Sequence, residues 1–306
     1  MMKAAAFASF GGPEVMKLMD LPEPAAGPGQ VRVRVKAAGV QHFDTGVRSG
    51  QYPGNVEVRF PQIPGNEFAG VIDQVGEGVT GFRVGDEVLG FGTLNCYAEY
   101  VAVSADQIVH KPQSMPWTVA GGLSGNGQGA HMGLKAIGVN AGDTILIHGA
   151  AGMLGSIAVQ LAKAWGAGAV IGTASERNHD YLRSLGAIPV TYGDGLVERV
   201  RAIAPDGVDA AFDAAGGAEA VLASLELVRD RSRFCTFVAP ELIERYGLAV
   251  VRPERSAARL AELAELYAQG KLRIPIRQTF PLEQAAEAHR LIETRGGRGK
   301  IVLTID

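Results

Sequence analysis

Cysteine is nearly absent from this 306-residue chain: Cys96 and Cys235 are its only two, far apart and outside any C-x-x-C. That excludes a disulfide framework and a thiolate-built structural zinc, and makes a reducing, cytoplasmic compartment the expected location. Strong charge of either sign is also missing. A formal net charge of -3 and a pI near 6.1 leave no cationic footprint for nucleic acid or an anionic membrane. Internal repeats and low-complexity segments do not occur. The apolar stretch from Ile145 to Ile171 is long enough to span a bilayer, yet it carries His148, Gln160, Lys163 and several glycines. It reads as a buried strand, helix and strand. The N-terminal Met1–Phe10 passes straight into Gly11-Gly-Pro-Glu and reads as a first strand rather than a targeting segment. A small neutral or anionic molecule is the remaining expected partner.

What is present is apolar mass and glycine. A hydrophobic content of 47% supplies cores for two domains of ordinary size. Residues 2 to 110 carry strand signals broken by Gly and Pro. Val31-Arg-Val-Arg-Val-Lys36 alternates with the period of a half-buried strand. Phe68–Val75, Asp86–Phe91 and Tyr97–Val103 continue a small barrel-like β domain. From Thr144 the rhythm changes to alternating strands and helices, as in a parallel sheet. Strands are expected at 144–148, 169–173, 188–191, 208–213 and 233–238, with helices at 154–165, 176–185, 195–203 and 217–228. A helix over Ser256–Gln269 starts at Ser256 and stops at Gly270, and a second covers Pro281–Thr294. The last strand, Gly299–Ile305, returns to the β domain. Gly-rich Ala120–Gly129 marks a domain junction, either a hinge or a cofactor-facing turn.

The organising stretch is Thr144-Ile-Leu-Ile-His148 followed by Gly149-Ala-Ala-Gly152-Met-Leu-Gly155. It reads as a strand, a tight G-x-x-G-x-x-G turn and an apolar helix. Missing β-carbons let such a turn bring peptide N–H groups at a helix N-terminus against a pyrophosphate.

With Ala38–Tyr52, Pro64-Gly-Asn-Glu-Phe-Ala-Gly70, Val84-Gly-Asp-Glu-Val88, His148–Ser156 and Gly299-Lys-Ile-Val-Leu in this order, the chain resembles the zinc-free quinone oxidoreductases of the medium-chain dehydrogenase/reductases. The resemblance covers nearly the whole sequence. It implies an α/β fold: a GroES-like, mostly-β substrate domain (1–121 with 258–306) and a Rossmann doubly wound domain (122–257), with NADPH in a cleft between them. It further implies a homodimer formed by Rossmann edge strands. Alcohol dehydrogenases of the superfamily have cysteine where Gln41 stands and histidine where Asn66 stands. Amides are poor zinc ligands, so no metal is expected.

Without a Lewis acid the acceptor must be easy to reduce, such as a quinone or another conjugated carbonyl. An enoyl or 2-alkenal reductase and a non-catalytic NADPH-binding sensor are the alternatives. Tyr52 matches a cleft tyrosine and is the candidate proton or hydrogen-bond donor, with simple packing as its other reading. Gln41 and Asp44 match the Asn-x-x-Asp beside the nicotinamide. Cofactor contacts are expected from Gly149, Ala151, Gly152, Met153, Leu154 and Gly155. At the second strand tip, Thr173, Ser175 and Arg177 favour a 2′-phosphate, with Glu176 dissenting. Tyr192 matches a tyrosine beside that phosphate. Ala214, Ala215, Phe237, Val238 and Ala239 follow the fourth and fifth strands, and Lys300 resembles a basic residue near the cofactor. Asp213 caps a turn or touches the cofactor. Two features depart from the family pattern: Met153 replaces a second glycine, and Asn126-Gly-Gln-Gly-Ala130 replaces a turn carrying threonine.

Overall fold

The computed structural model describes residues 1–52, 56–294 and 297–306. The chain divides into two compact units, one of residues 1–125, 255–268 and 274–306 and the other of residues 126–254 and 269–273.

In the first unit the elements are β1 (Met2–Ala6), β2 (Lys17–Leu21), β3 (Gln30–Val40), α1 (His42–Ser49), β4 (Glu67–Val75), β5 (Glu87–Phe91), β6 (Tyr100–Ser104), β7 (Ile108–His110) and α2 (Trp117–Gly121). Strand β3 is the spine. Val31, Val33 and Val35 are fully buried while Arg32, Arg34 and Lys36 point outward, so the alternation seen in the sequence is the inward and outward faces of one strand. It pairs antiparallel with both β4 and β6. Two register irregularities, at Arg32/Val33 and Val35/Ala37, let its eleven residues bend between neighbours. The core holds Phe7, Phe68, Tyr97 and Ile72 beside these valines.

Helix α3 (Ser124–Ala136) contains the boundary between the units. The second unit continues with β8 (Thr144–His148), α4 (Met153–Ala164), β9 (Ala169–Thr173), α5 (His179–Ser184), β10 (Ile188–Val190), α6 (Leu196–Arg201), β11 (Ala210–Asp213), α7 (Ala218–Leu227), β12 (Phe234–Thr236) and α8 (Glu241–Tyr246). Its sheet is parallel in the order β10-β9-β8-β11-β12. The chain runs outward from β8 to one edge and then returns to β11 on the other side. The loops after β8 and β11 therefore lie side by side at the point where strand order reverses, the position at which such sheets bind ligands. Helix α4 buries every residue from Gly155 to Ala162, including Ser156 and Gln160, whose side chains donate to backbone carbonyls.

The chain returns to the first unit with α9 (Ala257–Ala268), β13 (Ile276–Pro281), α10 (Ala285–Glu293) and β14 (Lys300–Thr304). Strand β14 pairs with β3 and β13. Ser256 caps α9, accepting the Arg259 N–H at 3.3 Å. No helix of the described residues is long and apolar enough to cross a membrane.

Three expectations need correction. The Ala120–Gly129 stretch is mostly helical, in α2 and α3, with a turn only at Gly122 and Leu123, and the boundary between the units falls inside it. Its glycines serve close packing. A β-carbon at Gly121 would lie 2.6 Å from the Ala37 carbonyl oxygen, and one at Gly122 would lie 2.6 Å from Lys300 Cγ. Strand 208–213 begins only at Ala210, because the Asp209 carboxylate turns back to accept the Thr144 N–H at 2.8 Å. Strand 233–238 ends at Thr236, whose hydroxyl accepts the N–H groups of Val238 and Ala239 and turns the chain.

Candidate active site

A buried polar cluster occupies the first unit where α1 follows β3. Gln41 precedes α1, and its N–H donates to Asp44 Oδ2 at 2.8 Å, the carboxylate half of a capping box. Tyr97 OH donates to the same oxygen at 2.8 Å. Asp44 is fully buried, and its Oδ1 has no partner. Burial pushes its pKa up to about 7, against the pull of Tyr97 and the Gln41 N–H. The Tyr97 phenol is in turn held well above its ordinary value by burial and by the Asp44 carboxylate.

Glu67, at the start of β4, accepts from three donors. Lys300 Nζ lies 2.5 Å from Oε1, Gln41 Nε2 donates to Oε1 at 2.6 Å, and the Gly125 N–H donates to Oε2 at 2.6 Å. Both charges are buried, Glu67 at 0% and Lys300 at 2% exposure. Lys300 therefore sits inside the first unit against Glu67. Burial and the nearby Lys300 lower the pKa of His42. Asn66 is buried with its Oδ1 unpartnered, while its carbonyl accepts Arg255 Nη1 at 2.8 Å.

Tyr52 is half-buried, and its hydroxyl donates to the Val56 carbonyl at 2.6 Å. A groove of about 730 Å³ in the same unit is lined by Val56, Ile63, Leu94 and Tyr100, among others, and contains none of Gln41, Asp44 and Tyr52.

The second unit assembles the expected nucleotide turn. Gly149 has φ +65°, and a β-carbon there would press to 3.0 Å on the Ala214 carbonyl and the Ala215 nitrogen, so only glycine suits the junction of the two loops. Gly155 faces the turn so closely that a β-carbon would meet the Gly149 carbonyl oxygen and lie 2.8 Å from Ala150 Cα. Gly152 is the N-cap of α4, and its N–H donates to Gly149 O at 3.0 Å. Met153, Leu154 and Gly155 open the helix, where no earlier turn supplies carbonyls for their N–H groups. Met153 stands at the first helical position. Ala151 is buried beside them.

Around this turn the other strand ends are tied by side chains. Thr173, at the tip of β9, is 2% exposed and accepts the Gly149 N–H at 3.3 Å. Asp213, fully buried at the end of β11, accepts from the N–H groups of Ala215 and Gly216 and from Thr236 Oγ1. Of the two readings of Asp213, it performs the turn-holding one. Phe237 packs against Phe212 with ring centroids 5.3 Å apart, Val238 is exposed and Ala239 buried.

Ser175 precedes a short 3-10 turn containing Glu176 and Arg177, both exposed, and Asn178 Nδ2 donates to its hydroxyl at 3.0 Å. Tyr192 is 56% exposed. Its loop is gripped by Arg199, which donates to the carbonyls of Thr191, Gly193 and Asp194. Sequence reasoning missed Arg199 and Tyr97, which stand in no motif, and the His148–Ser224 contact at 2.8 Å, since His148 was read only as the residue before the glycine turn. Glu67 was visible in Pro64–Gly70, although its three donors were not.

Among the described residues no group of three or more His, Cys, Asp and Glu side chains converges as a metal site would require. Residues 27–113 match the family described as the alcohol dehydrogenase GroES-like domain, and residues 185–303 match the zinc-binding dehydrogenase family. The chain is 33% identical to a quinone oxidoreductase of Pseudomonas aeruginosa over 99% of both chains. Among solved structures it is similar to the quinone oxidoreductase of Coxiella burnetii, at 33% identity and a TM-score of 0.87, covering 100% of this chain and 99% of that one. A mycobacterial protein solved in complex with NADPH is 30% identical with a TM-score of 0.85, over 99% of this chain and 100% of that one. This chain belongs to the quinone oxidoreductase family of medium-chain dehydrogenase/reductases, a family of oxidoreductases.

Proposed function

We propose that this protein reduces a quinone or another conjugated carbonyl with NADPH and without a metal. The observation that carries the metal-free reading is the set of donors turned toward Glu67. A zinc ion needs lone pairs, whereas here the Lys300 ammonium, the Gln41 amide N–H and the Gly125 N–H all donate toward the carboxylate. With amides at 41 and 66, this donor set does not fit zinc, despite the name of the family that residues 185–303 match.

The residues fit a dinucleotide. The Gly149–Gly155 turn, with no room for a β-carbon at Gly155, would hold the pyrophosphate on the first-turn amides of α4. Ser175 and Arg177 would hold the 2′-phosphate with Tyr192 beside it, and the mycobacterial relative solved with NADPH supports that choice. Ala214, Ala215 and Phe237 to Ala239 would border the ribose and nicotinamide end. When bound, NADPH supplies a hydride. Gln41 orients the reacting partner, Asp44 fixes Gln41 through its N–H, and Tyr52 donates to the oxygen on which negative charge gathers. A cytoplasmic homodimer completes the reading.

The test is NADPH oxidation by the purified enzyme across a panel of quinones and enones, with NADH in parallel and elemental analysis of the active protein. Turnover with quinones and no stoichiometric metal is expected. Preference for enones points to the alkenal reductase, tight NADPH binding without turnover points to a sensor, and stoichiometric zinc in active enzyme overturns the metal-free reading.

A further inference from the structure

The residue before the nucleotide turn, His148, has no part in the chemistry above, yet it is 1% exposed and both ring nitrogens are engaged. Nε2 lies 2.8 Å from Ser224 Oγ in α7, and Nδ1 lies 3.3 Å from Thr173 Oγ1 at the tip of β9. Thr173 Oγ1 also accepts the Gly149 N–H at 3.3 Å. A continuous path of side-chain contacts therefore runs from α7 through β8 to β9 and ends on the first amide of the turn. On the other side of the same residue, the His148 carbonyl accepts the Ala214 N–H at 3.2 Å. His148 is thus joined to Ser224 of α7, to the tip of β9 and to the loop after β11.

We propose that His148 is a positioning residue for the cofactor, holding Gly149 in its left-handed conformation by way of Thr173 and anchored on Ser224. This assigns Thr173 a role through the turn rather than a direct cofactor contact. The physical case rests on geometry. Gly149 has no side chain to pack, and glycine explores φ of both signs almost freely. A conformation at φ +65° is kept single only by what holds its neighbours. Ser224, Thr173 and His148 are all at most 2% exposed, so water is not available to replace any contact that is lost. Burial also lowers the His148 pKa to about 4 against the opposing charge of Asp213, which keeps the ring neutral, with one nitrogen to donate and one to accept.

The inference rests on the proposed NADPH site, but its first readout does not need the cofactor. Amide hydrogen exchange is measured by mass spectrometry on the cofactor-free protein for His148→Ala, His148→Asn and Ser224→Ala. Peptides spanning 149–155 should exchange about tenfold faster in His148→Ala, while those of β11 and β12 keep their protection. His148→Asn, which retains a polar atom near the Nδ1 position, should recover part of the protection. In turnover, His148→Ala should raise the KM for NADPH about tenfold with kcat nearly unchanged, because the contact acts on binding rather than on the reacting atoms.

Unchanged exchange at 149–155 in a folded His148→Ala overturns the proposal. So does a variant in which kcat falls with KM unchanged, or one that His148→Asn does not improve. If wild-type protein fails to bind NADPH while the exchange result holds, the cofactor reading fails and the anchoring of the turn stands.

Discussion

Replacing Asp44 by asparagine should change how the stability of the first unit depends on pH. Asp44 is fully buried and its pKa is raised from an ordinary 3.8 to about 7. Between those values the folded chain keeps a proton that the unfolded chain releases. Stability therefore falls as pH rises through that window and levels off above it. Three decades of proton affinity at about 1.4 kcal/mol each amount to roughly 4 kcal/mol at the upper end. Asparagine offers one oxygen to both Tyr97 OH and the Gln41 N–H but carries no charge, so its stability should lack this slope. The assay is urea unfolding from pH 4 to 8.5, followed by Trp117 fluorescence in a Trp165→Phe background so that the signal reports the first unit. Tyr97→Phe removes one donor from the carboxylate and should move the wild-type window upward. Curves for wild type and Asp44→Asn that stay parallel across the range, within about 0.5 kcal/mol, would refute the reasoning.

The other expectations concern the buried ion pair and the two ends of the proposed cofactor. Lys300→Met should destabilise the protein by about 3 kcal/mol by leaving Glu67 buried without its cation, and Lys300→Met with Glu67→Gln should recover most of that in chemical denaturation. Gly155→Ala, whose β-carbon lies 2.8 Å from Ala150 Cα, should weaken NADPH binding by about 10- to 100-fold in a fluorescence titration. Arg177→Ala should lower the ratio of NADPH to NADH affinity by about 10- to 100-fold, and an unchanged ratio removes Arg177 from the 2′-phosphate. Tyr52→Phe should lower kcat by at least about 100-fold with the NADPH dissociation constant unchanged. A variant that turns over like wild type leaves the Tyr52 hydroxyl with only its bond to Val56.

Much of the architecture was legible because it is periodic. Val31 to Lys36 alternates and is the alternating strand β3, and the change of rhythm at Thr144 is the start of the parallel sheet. The glycines of 120–129 were read as a domain junction, and the boundary between the units falls among them, but the helices that carry them were not foreseen. A missing side chain signals equally a turn and a close approach, and only neighbours such as Ala37 and Lys300, distant in sequence, decide between them. The family motifs carried the amides at 41 and 66 and the turn at 149–155. They did not carry the contacts that hold these residues, because the partners of Asp44 and Glu67 come from Tyr97 and Lys300, far along the chain. The His148 path is hidden for the same reason. Its neighbours are 25 and 76 residues away and match no spacing rule.

The close approach at Gly125 also constrains how the sequence can change. A β-carbon there would collide with Gln41 Nε2 and sit 2.8 Å from Cδ. The long amide at 41 and the bare backbone at 125 therefore occupy one shared volume, and residue 125 cannot gain a β-carbon while Gln41 stays long. Shortening Gln41 to asparagine first would vacate the space that alanine at 125 needs, whereas the reverse order passes through an overpacked intermediate. Mutational histories of this fold should accordingly be directional at this pair, with the residue after the first long strand changing before the helix glycine.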